Sequence, residues 1–169
     1  MVGPNLAADS DLNANGLIGR SKGDVMSTDF DTFFLERNRA AEAYVKGDGE
    51  ALDALVPHDG EATFFSPLGD DVIGAGEVAR RYLDDSTSFS EGATRFEVLQ
   101  KKQSGDLAFW AGYEITRARV GATPDPEDIR IRVTEIFQRV DETWKLVHRH
   151  AENMEVHLRT PPVADRDVS

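Results

Sequence analysis

The chain has 169 residues, 40% of them hydrophobic, with 19 basic and 31 acidic side chains for a formal charge of −12. That is apolar material for one domain with tails, under a negative surface that disfavours nucleic acid and anionic membrane as partners. With no cysteine there is no disulfide or thiolate chemistry. No apolar run reaches the roughly 18 residues of a membrane span, and the first residues lack a signal peptide's pattern, so a cytoplasmic location is expected.

Residues 1–27 are rich in Gly, Asn, Asp and Ser without hydrophobic period and read as a flexible arm. One domain is expected over residues 28–157, followed by a polar tail over 158–169. Thr28-Asp29 is a capping pair with Asp31 in the first turn. Phe30, Phe33, Phe34, Arg37, Ala41, Tyr44 and Val45 then keep helical spacing until Gly47. Asp48 can cap a short helix over Glu50–Val56, which Pro57 ends.

Ala62–Ser66 and Val72-Ile73 read as short strands around a Pro-Leu-Gly-Asp-Asp turn. A helix is expected over residues 77–85, with Val78, Ala79, Tyr82 and Leu83 inward. Four longer strands follow: Thr94–Gln103, Leu107–Val120, and the hairpin Ile129–Glu152 with its turn at Asp141-Glu142-Thr143. The loop Gly121–Asp128 carries two prolines, which resist regular structure. Helices followed by a run of strands imply α+β with an antiparallel meander. Helices on one face of a curved, cone-shaped sheet leave room for a ligand between them.

Both faces of the last hairpin mix apolar and ionisable residues. Ile129, Ile131, Val133, Glu135 and Phe137 alternate with Arg130, Arg132, Thr134, Ile136 and Gln138; Trp144, Leu146, His148 and His150 alternate with Lys145, Val147, Arg149 and Ala151. A strand pair of this kind is covered on one side and meets a cavity or a second subunit on the other.

The element order, with Arg132–Glu152, Phe64–Tyr82 and Gly105–Glu114, resembles the SnoaL-like branch of the nuclear transport factor 2-like superfamily. The ending, with Trp144, Val147, His148 and His150, is also similar to the association domain of calcium/calmodulin-dependent protein kinase II. The superfamily includes isomerases, cyclases, dehydratases and non-enzymatic assembly modules. The resemblance implies a pocket walled by the last three strands. That domain's pocket arginines would fall at Tyr113, Glu135 and Ala151, where none is present. Glu135 lies near the position of an oxyanion-hole acid in ketosteroid isomerases.

Parity along the strands then assigns Tyr113, Phe137 and Arg149 to the pocket face, with Phe109, Ala111, Val133, Val147 and Ala151. Phe34, Tyr44, Phe65 and Tyr82 are expected to complete the wall. Glu135 is the candidate acid or base, since an apolar wall disfavours its charged form. Alternatively Glu135 and Arg149 form an ion pair held for folding. The nearest second acid or base is Asp59 or His58. The opposite face, with Trp110, Arg132, Thr134, Trp144, His148 and His150, is the expected homodimer interface, although Trp110 also fits a core position. His-x-His spacing can bind a metal, but no third ligand is apparent and none is expected. Gly74-Ala75-Gly76-Glu77-Val78-Ala79 matches a dinucleotide fingerprint without the full strand that must precede it. No cofactor is expected. The partners expected are a small apolar or carbonyl-containing ligand and a second copy of the chain.

Overall fold

A computed structural model describes residues 29–154; the expected arm and tail lie outside this range. Helix α1 covers Asp29–Tyr44, α2 Glu50–Asp53 and α3 Ala75–Ser86. The strands are β1 (Thr63–Phe65), β2 (Asp71–Ile73), β3 (Phe89–Ser104), β4 (Leu107–Val120), β5 (Glu127–Val140) and β6 (Thr143–Asn153). They form one unclosed mixed sheet in the order β2-β1-β6-β5-β4-β3. Every neighbouring pair is antiparallel except β1 with β6. No helix of the described residues is long and apolar enough to cross a membrane.

The helix signals act as their chemistry requires. Gly47 takes a φ of 94°, and its N–H donates to Tyr44 O just past α1. The Asp48 carboxylate accepts the Glu50 N–H at the start of α2. Strand β3 begins five residues before the expected Thr94, because a bulge between Ser90 and Ala93 absorbs an irregular stretch without ending the pairing. Strand β5 likewise starts at Glu127, inside the expected proline loop. Asp141 and Glu142 both have positive φ, as a two-residue hairpin turn with the sheet's twist demands.

The core lies between α1 and the inner face of β4, β5 and β6. Phe30 packs on Trp144 at 5.1 Å and on Phe137 at 5.3 Å, and Phe34 packs edge-on to Trp110 at 5.8 Å. Each such side chain contributes about 1.5–3 kcal/mol on burial.

Two face assignments change. In β4 the inward residues are the even-numbered ones: Trp110 pairs with Glu135, Gly112 with Val133 and Glu114 with Ile131. Trp110 is completely buried, and Tyr113 points outward, beneath the Arg130 guanidinium at 4.3 Å. In β6 the pairing shifts between Ile136–His148 and Phe137–Leu146, leaving Val147 as an extra residue. The extra residue reverses the alternation. Trp144 and Leu146 therefore join Arg149 and Ala151 on the inner face, and Val147 leaves it. Trp110 and Trp144 are core residues, not parts of an outer face. Phe65 also points outward, with its ring edge-on to His148 and His150.

Strand β3 runs unusually close to β4 at Gly112. A Cβ there would sit 2.1 Å from Glu97 O, beside the second β3 bulge at Val98/Gln100. Backbone cannot rotate away as a side chain does. Gly112→Ala is expected to cost about 1–3 kcal/mol, read as a lowered urea midpoint at constant slope.

Candidate functional site

Glu135 is the hub of a buried polar cluster. Its position in β5 sets it directly between Trp110 of β4 and Arg149 of β6. Arg37 reaches it from α1, where it shares the inward stripe with Phe30, Phe33, Phe34 and Ala41. Arg37 Nη2 donates to Glu135 Oε1 at 2.6 Å and Arg149 Nη1 to the same oxygen at 2.5 Å. Trp110 Nε1 donates to Oε2 at 2.6 Å. Arg149 then extends the cluster: its Nη2 donates to Glu114 Oε2 at 2.6 Å. Thr94 Oγ1 lies 3.3 Å from the other Glu114 oxygen.

This geometry decides the protonation of Glu135. Burial alone pushes its pKa up, but the charges of Arg37 and Arg149 and the donors from Arg37 and Trp110 more than offset that, and the net direction is down. Glu135 is therefore ionised at neutral pH and sealed behind its partners. An acid or base must come within about 3 Å of the proton it moves, directly or through one water. Glu135 does not meet this condition, because it does not line the cavity beside it.

That cavity has a volume of about 500 Å³ and lies between α1, α3 and the inner sheet. Arg37, Tyr44, Phe64, Tyr82, Glu114 and Arg149 are among the side chains that line it. Burial pushes the hydroxyls of Tyr44 and Tyr82 well above their ordinary range, so both are neutral donors. Arg37 Nε and Nη1 and the Tyr82 hydroxyl are buried without a hydrogen-bond partner among the described residues. Such groups cost about 1–3 kcal/mol each when left unpaired. At the mouth, Arg81 is bound to both Asp70 and Asp85. Its bond and that of Ser66 hold the Asp70 carboxyl down at about 2.

Of the residues expected to line the pocket, Tyr44, Tyr82 and Arg149 border this cavity. Phe34 and Phe137 lie in the core beside it, and Phe65 and Tyr113 lie on the other side of the sheet. Of the expected outer-face residues, Arg132, Thr134 and His150 are exposed there. His148 is half-buried, with Nδ1 2.7 Å from Thr63 Oγ1, and its pKa is lowered by burial and by His150. His58 and Asp59 are solvated, His58 beside Asp53 at 3.1 Å. No group of three or more potential metal-binding His, Asp or Glu side chains occurs among the described residues. The residues that the strand pattern did not single out are Glu114 and Arg37. A charged residue inside an apolar helical stripe was the available signal for Arg37.

The fold is of the α+β class, helices packed against a curved, unclosed six-stranded sheet. Residues 37–152 match the SnoaL-like domain family, and the chain belongs to that family. Among solved structures it is similar to a suspected dehydratase of the nuclear transport factor 2-like family from Streptomyces avermitilis. The two share 23% identity over 73% of this chain and 94% of the other, with a TM-score of 0.59. A nuclear transport factor 2-like superfamily protein from Salmonella enterica gives 0.63, at 17% identity over 75% and 94%. A ketosteroid isomerase-like protein from Erwinia carotovora atroseptica gives 0.59, at 17% identity over 72% and 93%. At these identities the likeness establishes the fold. No curated protein sequence matches the chain.

The cluster predicts an acid limb of stability. The folded-state pKa of Glu135 lies below its unfolded value, so its contribution is present above about pH 4.3 and fades as pH falls through the folded value. Glu135→Gln is expected to lose about 3–5 kcal/mol at pH 7, because two buried guanidinium groups lose their anion. Urea unfolding of the variant should also show a flatter decline below pH 4.3 than the parent.

Proposed function

We propose that this protein binds a small, largely apolar molecule in the internal cavity and acts on it by general acid–base chemistry, with Glu114 as the proton-handling group. The observation that carries this is the join of two features in one place. An apolar cavity of about 500 Å³ is bordered by a carboxylate, Glu114, and by Arg37 and Tyr82, whose buried donors have no hydrogen-bond partner among the described residues. A ligand with a hydrogen-bond acceptor would satisfy those donors. Isomerisation, cyclisation and dehydration share one demand: a base near the carbon next to a carbonyl, and donors for the oxygen where charge develops. Glu114 and Tyr82 can supply these two parts. Neighbours in fold support the same reading, since they include a suspected dehydratase and a ketosteroid isomerase-like protein.

A neutral dye, Nile red, tests occupancy. Its fluorescence should rise with the parent protein and be lost in Ala41→Trp, which fills the cavity from α1. Exchange of the methyl protons of 2-acetylnaphthalene with deuterated water, followed by NMR, tests the chemistry. Exchange catalysed by the parent should fall by about 100-fold or more in Glu114→Gln, while the dye still binds. An unchanged exchange rate would remove Glu114 from the role.

A second observation favours assembly through the other side of the sheet. The odd residues of β4 include Leu107, Phe109, Tyr113 and Ile115, and they share the outer face with Ile136 of β5 and Phe65 of β1. An apolar sheet face needs a cover, and we infer a homodimer that pairs these faces with Arg132, Thr134, His148 and His150. The hub of calcium/calmodulin-dependent protein kinase II from S. rosetta is among the fold's neighbours. Light scattering at micromolar concentration should give twice the chain mass of 18.7 kDa. Ile136→Arg should return it to one.

A further inference from the structure

We propose that the cavity selects an electrically neutral ligand whose acceptor is a carbonyl-type oxygen, and that it discriminates against carboxylates of the same shape; this rests on the cavity being the binding site. The argument begins with charge. Four side chains form a chain of salt bridges at the cavity's inner end: Arg37 with Glu135, Glu135 with Arg149 and Arg149 with Glu114. Two guanidinium groups stand against two carboxylates, so the buried set is formally neutral before any ligand arrives. An anion would leave one uncompensated negative charge in a region where Arg37, Arg149, Glu114 and Glu135 all have less than 10% of their side chains exposed. Low dielectric makes that costly. The mouth adds to the bias. Arg81 is shared between Asp70 and Asp85, and Glu127 also lines the opening.

The donors beside the cavity ask for an acceptor. Arg37 Nε and Nη1 and the Tyr82 hydroxyl are buried without a hydrogen-bond partner among the described residues. Each can donate to a single oxygen, which need carry no charge to accept. Tyr82 keeps its proton, since burial holds the neutral form. A ligand that only filled the cavity with hydrocarbon would leave those donors unpaired. A ketone, aldehyde, ester or amide oxygen pairs them without adding charge.

Three naphthalenes of one shape isolate the property: 2-acetylnaphthalene, 2-naphthoate and 2-ethylnaphthalene, titrated into the full chain by calorimetry at pH 7.5. The ketone is expected to bind about tenfold more tightly than the hydrocarbon, and the carboxylate more weakly than the ketone by at least about as much. Tyr82→Phe should erase most of the ketone's margin over the hydrocarbon. Glu114→Gln makes the buried set positive and should narrow or reverse the margin over naphthoate. Naphthoate binding the parent as tightly as the ketone would overturn the selection while leaving the cavity as a binding site. An unchanged ketone margin in Tyr82→Phe would do the same, provided circular dichroism shows the variant folded; if it is not folded, the Glu114→Gln comparison decides. Loss of binding by every naphthalene, with no Nile red signal, would overturn both the selection and the site.

Discussion

One carboxylate holds the interior in place. Glu135 receives a guanidinium from α1, another from β6 and an indole N–H from β4. Each donor comes from a different element, so the bonds fix the helix against the sheet and fix the register of three strands at one level. Apolar packing alone does not do this. Packing of side chains such as Phe30, Phe34 and Phe137 tolerates alternatives of similar volume, whereas a buried carboxylate shifted by one residue would strand two cations. The cost of sealing four charges away from water is set against this specificity. The cluster is better understood as a lock on geometry than as a source of net stability.

The lock also shapes the cavity. Arg149 is held between Glu135 and Glu114, so the arrangement that satisfies the core also orients a carboxylate that borders the empty space. Arg37 uses one nitrogen on Glu135, and its two others have no hydrogen-bond partner among the described residues. The same side chains serve the core on one side and the cavity on the other. A polar patch in an apolar wall follows from the way the fold is held.

The architecture was legible because it rests on coarse periodicities. Helical spacing from Phe30 to Val45, the turns at Gly47 and Asp141-Glu142, and the run of alternating strands each required only local chemistry. The face assignments failed where they depended on events the pattern does not show. Strand β4 is apolar on both sides, and its odd positions, with Phe109, Tyr113 and Ile115, are the more hydrophobic set; yet the even positions face the core. Only the pairing of Trp110 with Glu135 reveals it. In β6 a single extra residue at Val147 moved Trp144 and Leu146 inward, and nothing in the local sequence marks a bulge there. Glu114 went unassigned for the same reason, since its partner Arg149 becomes visible only once the register is known; Arg37 carried a signal, a charge inside an apolar helical stripe, but its partner Glu135 lies 98 residues away.

The parallel pairing of β1 with β6 has a consequence in time. Thr63 and His148 touch across 85 residues of chain, and contacts this distant in sequence require a long loop to close before they repay its entropy. The hairpins β3–β4, β4–β5 and β5–β6 can form from neighbouring segments and bring Glu135 to Trp110 and Arg149, whereas Arg37 meets Glu135 across 98 residues. Strand β6 is synthesised last of the six, and with it comes Arg149. Until it docks, Glu114 has no guanidinium, β1 has no long strand to lie beside, and the cavity lacks a wall. The contacts that close the cavity, of β1 with β6 and of α1 with β5, are thus the ones whose assembly waits longest.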